Sequence, residues 1–418
     1  MIQRPMRAQV GAQVGTQERP PVQAAGGLIT VAGLDECLAV LRDGRRFSTA
    51  VYESVVGPVM GRTMLQLDDP DHRVHRAMVS PAFRSRALDE GMVQSVVDGL
   101  VDRFCAAGRA TLVADLTFEF PVQVMAGILG LPRDDYPRFR RWAVDLIGLA
   151  DDWERALAAS AALGGYFGGI LADRRRQPRH DLISDLAAQQ LEDEDVFAFL
   201  RLLLPAGVET TYRASGTLLY ALLTHPEALA AVRADRSLVP VALEEAIRWE
   251  PPVTTILRRA TVDTHIGDVP VPAGADVLLL LADANRDPRR HHRPERFDLG
   301  RPDHQHVGFG GGAHACLGMH LARLEARVAV NTLLDRLGDL RLDPGRAEPV
   351  MEGTAFRSPD RLPVLYSAIQ NSVSGVLRSK ESRSKKCVGT GRGGRPVDRA
   401  DEGHGGGHDL PAGRLLRI

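Results

Sequence analysis

The chain has 418 residues, a formal net charge of −1, 44% hydrophobic and 25% charged residues, the balance of a globular protein with no basic field for nucleic acid. Its four cysteines (Cys37, Cys105, Cys316, Cys387) have no paired spacing, which indicates neither a disulfide framework nor a zinc knuckle and makes a reducing cytoplasm the expectation. No uninterrupted apolar run reaches about 18 residues and no signal-peptide pattern opens the chain, so no membrane anchor is expected.

In chain order, residues 1–24 are rich in Gln, Arg, Pro and Gly without periodicity and read as a disordered segment. Leu28 to Val31 is β-prone, and Leu34 to Arg42 is helical. From 70 to about 235 the pattern is almost wholly helical, with one helix starting near Val196 and carrying Pro205, which predicts a kink. Val253 to Leu257, Val262 to Ile266 and Val277 to Leu281 are short β-prone runs split by Gly and Pro. Leu317, Leu321, Leu324 and Val328 recur on one helical face, and Leu362 to Leu365 reads as a closing strand. Residues 370–418 carry ten Lys/Arg against five Asp/Glu among Gly and Ser, and read as a disordered basic tail. Residues 25–369 show no repeat and no composition shift, so a single domain is expected. Its class is mostly α, α+β with helices dominant.

Cys316 carries the most specific signal. The run Phe309-Gly310-Gly311-Gly312-Ala313-His314-Ala315-Cys316-Leu317-Gly318 is dense in glycine and leads into the apolar helical face. A cysteine opening a helix sees aligned N–H groups that favour the thiolate. Glycines let backbone approach a large flat group, and a thiolate under such a loop suits an axial ligand of haem iron. The ordinary readings are a buried small hydrophobe or a phosphate loop. The phosphate loop fails because neither GxxxxGK[ST] nor GxGxxG is present. The pattern Phe-x-x-Gly-x-His-x-Cys-x-Gly resembles the haem-ligand signature of the cytochrome P450 family.

Four further stretches match that family in order, so the resemblance covers roughly residues 28–366 and implies the triangular, mostly helical cytochrome P450 fold with small β-sheets. Ala206-Gly207-Val208-Glu209-Thr210-Thr211 on its own reads as a helix boundary. The resemblance makes it the widened centre of a helix over the haem, with Thr210 bonding the bound oxygen and Glu209 relaying protons. Glu245-Ala246-Ile247-Arg248 reads as an i, i+3 surface pair. The resemblance makes Glu245, Arg248 and Arg296 a buried network bracing the cysteine loop. His72 and Arg76, four apart, read as a solvated basic face. The resemblance places both on the haem propionates with Arg258 and His314. Arg259 rivals Arg258, which is preferred from its spacing to Thr261 and Asp263. Asn285-Arg286-Asp287-Pro288 is a landmark to which no chemistry is assigned.

The resemblance further implies that Phe309, Gly312, Gly318, Ala206 and Gly207 contact haem b, with Cys316 as the iron's axial ligand. Leu203, Ala206, Val253, Thr254, Ile256, Ala355 and Phe356 would form the substrate wall; being apolar or small, they suit a hydrophobic molecule. The implied activity is monooxygenation, as hydroxylation or epoxidation, of the kind used in secondary metabolism. No flavin, nicotinamide or Fe–S fingerprint is present. Electrons would come from a ferredoxin and its NAD(P)H-dependent reductase, with Arg73 and Arg323 on the docking face and the chain a monomer. Competing readings are a peroxide-driven haem-thiolate enzyme, a non-catalytic haem sensor, and an inactive member with unusual ends. Glu209 and Thr210 argue against the first two, neither of which needs proton delivery to dioxygen.

Overall fold

The computed structural model describes residues 20–369 except 26, 149–151 and 190. The tail expected over 370–418 and all but the end of the expected N-terminal segment lie outside the described residues. That segment does not stay irregular to residue 24. Val22–Ala25 (β1) turns at Gly27, which has φ +82°, and pairs antiparallel with Leu28–Val31 (β2). Only Val22 of β1 is buried, so backbone pairing rather than apolar alternation makes it a strand.

Leu34–Arg42 (α1), Phe47–Ser48 (β3), Glu53–Met60 (α2) and Asp71–Val79 (α3) follow. The helical body then runs through Glu90–Phe104 (α4), the short strand Arg109–Thr111 (β4), Glu119–Ile128 (α5), Tyr136–Ile147 (α6), Trp153–Arg176 (α7) and Leu182–Ala187 (α8). Asp193–Thr224 (α9) is the central helix, followed by Pro226–Ala234 (α10) and Val239–Trp249 (α11). Thr255–Ala260 (β5), Thr264–Ile266 (β6), Val269–Val271 (β7) and Asp276–Leu280 (β8) form the expected β region, ending in the turn of helix Leu281–Ala284 (α12). Met319–Arg336 (α13), Leu337–Leu342 (β9), Met351–Glu352 (β10), Ser358–Pro359 (β11) and Pro363–Ala368 (β12) complete the described chain.

Two packed units position the site. A mixed sheet has the order β1-β2-β8-β5-β3, with β2 and β8 parallel and the other pairs antiparallel. Beneath it, Val31, Leu34, Val277, Leu279 and Val307 form a small core. The larger core joins α4 to α7, α9, α11 and α13 through side chains such as Leu100, Phe120, Phe139, Phe167, Leu204 and Leu333. α7 has the length and mean hydropathy, 1.2, to cross a membrane; here Ala159, Leu163, Phe167 and Leu171, four apart, lie buried in that core.

α9 spans 32 residues and starts slightly before Val196, with Pro205 inside it. From Ala198 to Leu219 its side chains are buried all round, except at Ala206, Gly207 and Thr210. A helix buried on every face needs partners on every face. The three exceptions mark a gap in the packing on one side of its middle.

Candidate active site

The cysteine loop is shaped from both ends. Gly310 and Gly312 have φ +68° and +63°, where a side chain is strained. A Cβ at Gly312 would also stand 2.1 Å from the Leu41 carbonyl oxygen, so this glycine seats the loop on α1 rather than on a cofactor. The Cys316 amide donates to Phe309 O at 2.8 Å, folding the loop back on itself. Cys316 does not open the helix. α13 begins at Met319 with Gly318 as its N-cap residue, so the thiol precedes the dipole rather than sitting in the first turn. Burial pushes the thiol above its ordinary value, opposed by the Gly318 backbone, Arg76 and Arg323. The expectation of a cysteine in the first helical turn is thereby corrected, and burial outweighs the groups that favour the thiolate.

Below the loop, Glu245 and Arg248 have no exposed side-chain surface, and Arg248 Nε and Nη2 donate to the two Glu245 oxygens at 2.7 and 2.9 Å. Arg248 also donates to the carbonyls of Asn285, Pro294 and Arg296. The third member of the network is Arg301, not Arg296. Arg301 Nε donates to both Glu245 oxygens at 3.1 and 3.2 Å, and Nη2 donates to Arg296 O at 3.0 Å. Arg296 offers only its backbone, and its side chain is exposed. Burial works to raise Glu245, but Arg248, the Asp298 amide and Arg301 outweigh it and hold the carboxyl below its usual range. Asn285 acquires a function the sequence did not assign. Its side chain donates to Ile247 O and accepts from the Val307 amide at 2.8 Å, pinning the approach to Phe309. Asp287 accepts from the Leu34 amide at 3.0 Å and so fixes α1 under Gly312.

Beside the loop, two arginines and two histidines converge from three elements. His72 and His314 stack with ring centroids 3.9 Å apart. Arg76 Nη2 donates to Ala315 O at 2.6 Å. His314 is pushed down to about 3 by burial, His72 and Arg258. Arg258 is 5% exposed, and its guanidinium bonds only its own Leu257 carbonyl among the described residues. Burial lowers it too, with Tyr52 and Asp68 opposing. Arg259, the rival, is paired with Asp276 at 2.7 Å near the surface.

On the far side, Thr210 Oγ1 donates to Ala206 O at 2.8 Å, inside the gap in α9. Glu209 is buried and paired with Arg213, whose Nε donates to Oε1 at 2.6 Å. Burial raises this carboxyl despite Arg213. Gly207 is constrained by α5, since a Cβ there would meet Met125 Sδ at 2.8 Å. Of the expected wall, Leu203 and Thr254 are buried, whereas Val253, Ile256, Ala355 and Phe356 are half-buried and Val253 bridges to Phe356. Arg323 is neutralised by Glu244 at 2.8 and 2.9 Å and lies over the Phe309 ring, while Arg73 is exposed.

A cytochrome P450 family model matches residues 171–362. The monooxygenase PikC of Streptomyces venezuelae is 39% identical over 337 residues, covering 77% of this chain and 80% of that protein. The nocardicin C N-oxygenase of Nocardia uniformis subsp. tsuyamanensis is 39% identical over 73% of this chain and 79% of its own. The solved structure of cytochrome P450 CYP109Q5 from Chondromyces apiculatus superposes with a TM-score of 0.78 at 34% identity, covering 87% of this chain and 96% of that one. The chain belongs to the cytochrome P450 family. It is accordingly a haem monooxygenase, and its cofactor is haem b.

The residues fit that cofactor. A cytochrome P450 must neutralise two propionates, and here Arg258, Arg76, His72 and His314 face one another, and among the described residues the buried Arg258 has no ion-paired carboxylate, only the longer-range pull of Asp68. Uncompensated buried charge is costly, and an incoming carboxylate removes the cost. The open positions Ala206, Gly207 and Thr210 form the one break in an otherwise buried stretch of helix, and a Cβ at Gly318 would meet nothing within 4 Å. Arg258→Leu therefore has opposite expected effects in the two states. Removing the buried cation should stabilise the haem-free protein by about 1 kcal/mol or more. The same change should weaken haem retention about tenfold, the worth of one charge-assisted bond. Denaturant unfolding of the apoprotein and haem transfer to a scavenger protein measure the two effects.

Proposed function

We propose that this cytochrome P450 inserts one atom of dioxygen into a hydrophobic small molecule by hydroxylation or epoxidation, with electrons from a ferredoxin and its NAD(P)H-dependent reductase. The balance is RH + O2 + two electrons + two protons giving ROH and water. Bound through Cys316, the haem supplies the electron-transfer and oxygen-cleaving chemistry. The chain's own residues do the rest. Arg76, Arg258, His72 and His314 orient the cofactor edge. The Glu245–Arg248–Arg301 network and Asn285 hold the loop that presents the thiol. Thr210 stands in the gap of α9 with a hydroxyl that can turn from Ala206 O toward the open side and would hold a proton there. Glu209, one residue away, is the acid closest in sequence to that hydroxyl and returns its proton once its carboxyl turns from Arg213 toward the gap.

The observation that carries this reading is the gap at Ala206, Gly207 and Thr210 in a helix otherwise buried through its centre, with the Thr210 hydroxyl in it and a buried acid, Glu209, next along the chain. A haem sensor has no use for such a pair. The wall residues Val253, Ile256, Ala355 and Phe356 are apolar or small, which supports an apolar substrate. The spectrum of the reduced protein under carbon monoxide tests the assignment. The wild type should give the strongly red-shifted Soret band of a thiolate-ligated haem, and Cys316→Ser should abolish it. A wild-type spectrum of the histidine-ligated type, or no haem uptake, would overturn the proposal.

A further inference from the structure

Arg213 is a second buried charge on the central helix, and no part of the proposed reaction uses it. It is 4% exposed, as is Glu209 one turn earlier. Two of its nitrogens reach the same carboxylate oxygen, Nε at 2.6 Å and Nη2 at 2.5 Å. Its third nitrogen, Nη1, donates to Ser358 Oγ at 3.1 Å, and Ser358 is itself 5% exposed. The titratable groups facing Glu209 are Arg213 and Tyr212, both on its own helix; the facing hairpin contributes the Ser358 hydroxyl.

Ser358 belongs to a hairpin with two attachments. On one side β10 and β11 pair antiparallel, Glu352 opposite Ser358, and the turn between them needs Gly353. Gly353 has φ +97°, and a Cβ there would lie 1.8 Å from Phe356 O. On the other side the hairpin is strapped to the start of the β region. Thr254 N donates to Ala355 O at 2.9 Å, Arg357 N donates to Pro252 O at 3.0 Å, and Val253 bridges to Phe356. One short segment thus carries both the wall positions Ala355 and Phe356 and the hydroxyl that anchors Arg213.

We propose that Arg213, anchored by Ser358, is a positioning residue that sets the direction and charge of Glu209 and ties both to the placement of the C-terminal hairpin. The proposal rests on the relay role given to Glu209 above. Its physical basis is competition. A buried carboxyl favours its neutral form, and a hydrogen-bonded guanidinium favours the charged one. While Arg213 is held by Ser358, Glu209 is kept in the pair and away from the gap at Thr210. If a ligand displaces the hairpin at Phe356, Arg213 loses its anchor. Glu209 then becomes more weakly paired, more readily protonated and freer to turn. Spatial continuity alone does not demonstrate coupling, so the test must perturb one end and read the other.

The test is an infrared titration of the haem-loaded protein, with the Glu209 carboxyl band assigned by its loss in Glu209→Gln. The protonation midpoint should rise in the order wild type, Ser358→Ala, Arg213→Gln, by about one pH unit or more in the last. Gly353→Ala, which displaces the turn without touching Glu209, Arg213 or Ser358, should move the midpoint the same way as Ser358→Ala. The pH dependence of air reoxidation of the reduced protein should shift in parallel. Should Gly353→Ala fail to fold, Ser358→Ala, the loss of a single hydroxyl, decides alone. An unchanged midpoint in Ser358→Ala overturns the latch. A shifted midpoint combined with wild-type reoxidation in Glu209→Gln overturns the relay role instead, so the two failures are distinguishable.

Discussion

Arg248→Met is expected to yield a protein that neither reaches wild-type stability nor retains haem. The side chain is fully buried and makes five hydrogen bonds, two to Glu245 and one each to the carbonyls of Asn285, Pro294 and Arg296. Methionine fills much of the volume but leaves Glu245 in place, also fully buried, with Arg301, the Asp298 amide and the His304 ring as its remaining close partners. Removing one partner of a buried pair costs about 3–5 kcal/mol. A domain has about 5–15 kcal/mol in total. The loss falls on the segment from Asn285 to Phe309, which leads straight into the thiolate loop, so cofactor retention should fail before global unfolding. Urea unfolding and the ratio of haem to protein after purification measure both. The same experiment separates the two candidate third members. Arg301→Ala should be destabilised by several kcal/mol, since it strips donors from Glu245 and three carbonyls. Arg296→Ala should stay within about 0.5 kcal/mol of wild type. The opposite ranking would return the network to Arg296.

That pair of arginines shows where sequence reading reached its limit. Spacing within a helix is geometric, so Glu245 and Arg248 at i, i+3 could be placed on one face in advance. Arg296 and Arg301 both lie in an irregular segment without a period, where nothing in the sequence says which side chain turns inward. The β-prone runs at 253–257, 262–266 and 277–281 each overlap a strand, displaced by up to three residues at their ends, and α1 and β2 fall where apolar spacing put them. β1 was missed because an edge strand with one buried residue has no alternation to detect. The Cys316 loop was legible as a ligand loop because glycine density is a local signal. The distance from the thiol to the helix start was not, because Leu317 and Gly318 continue the apolar pattern without being helical. Gly312 looked like a cofactor contact, whereas its constraint is the Leu41 carbonyl, supplied by an element about 270 residues earlier in the chain. Partners that distant leave no trace in a local window.

Glu325→Gln is expected to make the protein less sensitive to alkaline pH. Glu325 lies on α13, 1% exposed, with neither carboxyl oxygen gaining a well-formed hydrogen bond; the Thr211 hydroxyl of the central helix is the polar group that faces it. Burial raises its pKa well above the ordinary carboxylate value, and Thr211 offsets only part of this. The folded protein therefore holds a proton here to higher pH than the unfolded chain does. The stability associated with that proton is complete below the unfolded-state value and declines as pH rises toward the folded-state value. Over that window the wild type should lose about 1.4 kcal/mol per pH unit relative to Glu325→Gln, which has the same shape and cannot ionise. Denaturant unfolding of both proteins at several values from about pH 5 upward should give a difference that grows with pH and levels off once the folded-state value is passed. A flat difference would mean that Glu325 is ionised and paired in the folded state. A steady slope would mean that the helix following the ligand loop is held against the central helix through a neutral acid. In that case raising the pH would loosen the contact between α13 and α9 at Thr211, next to the residue that stands in the oxygen-facing gap.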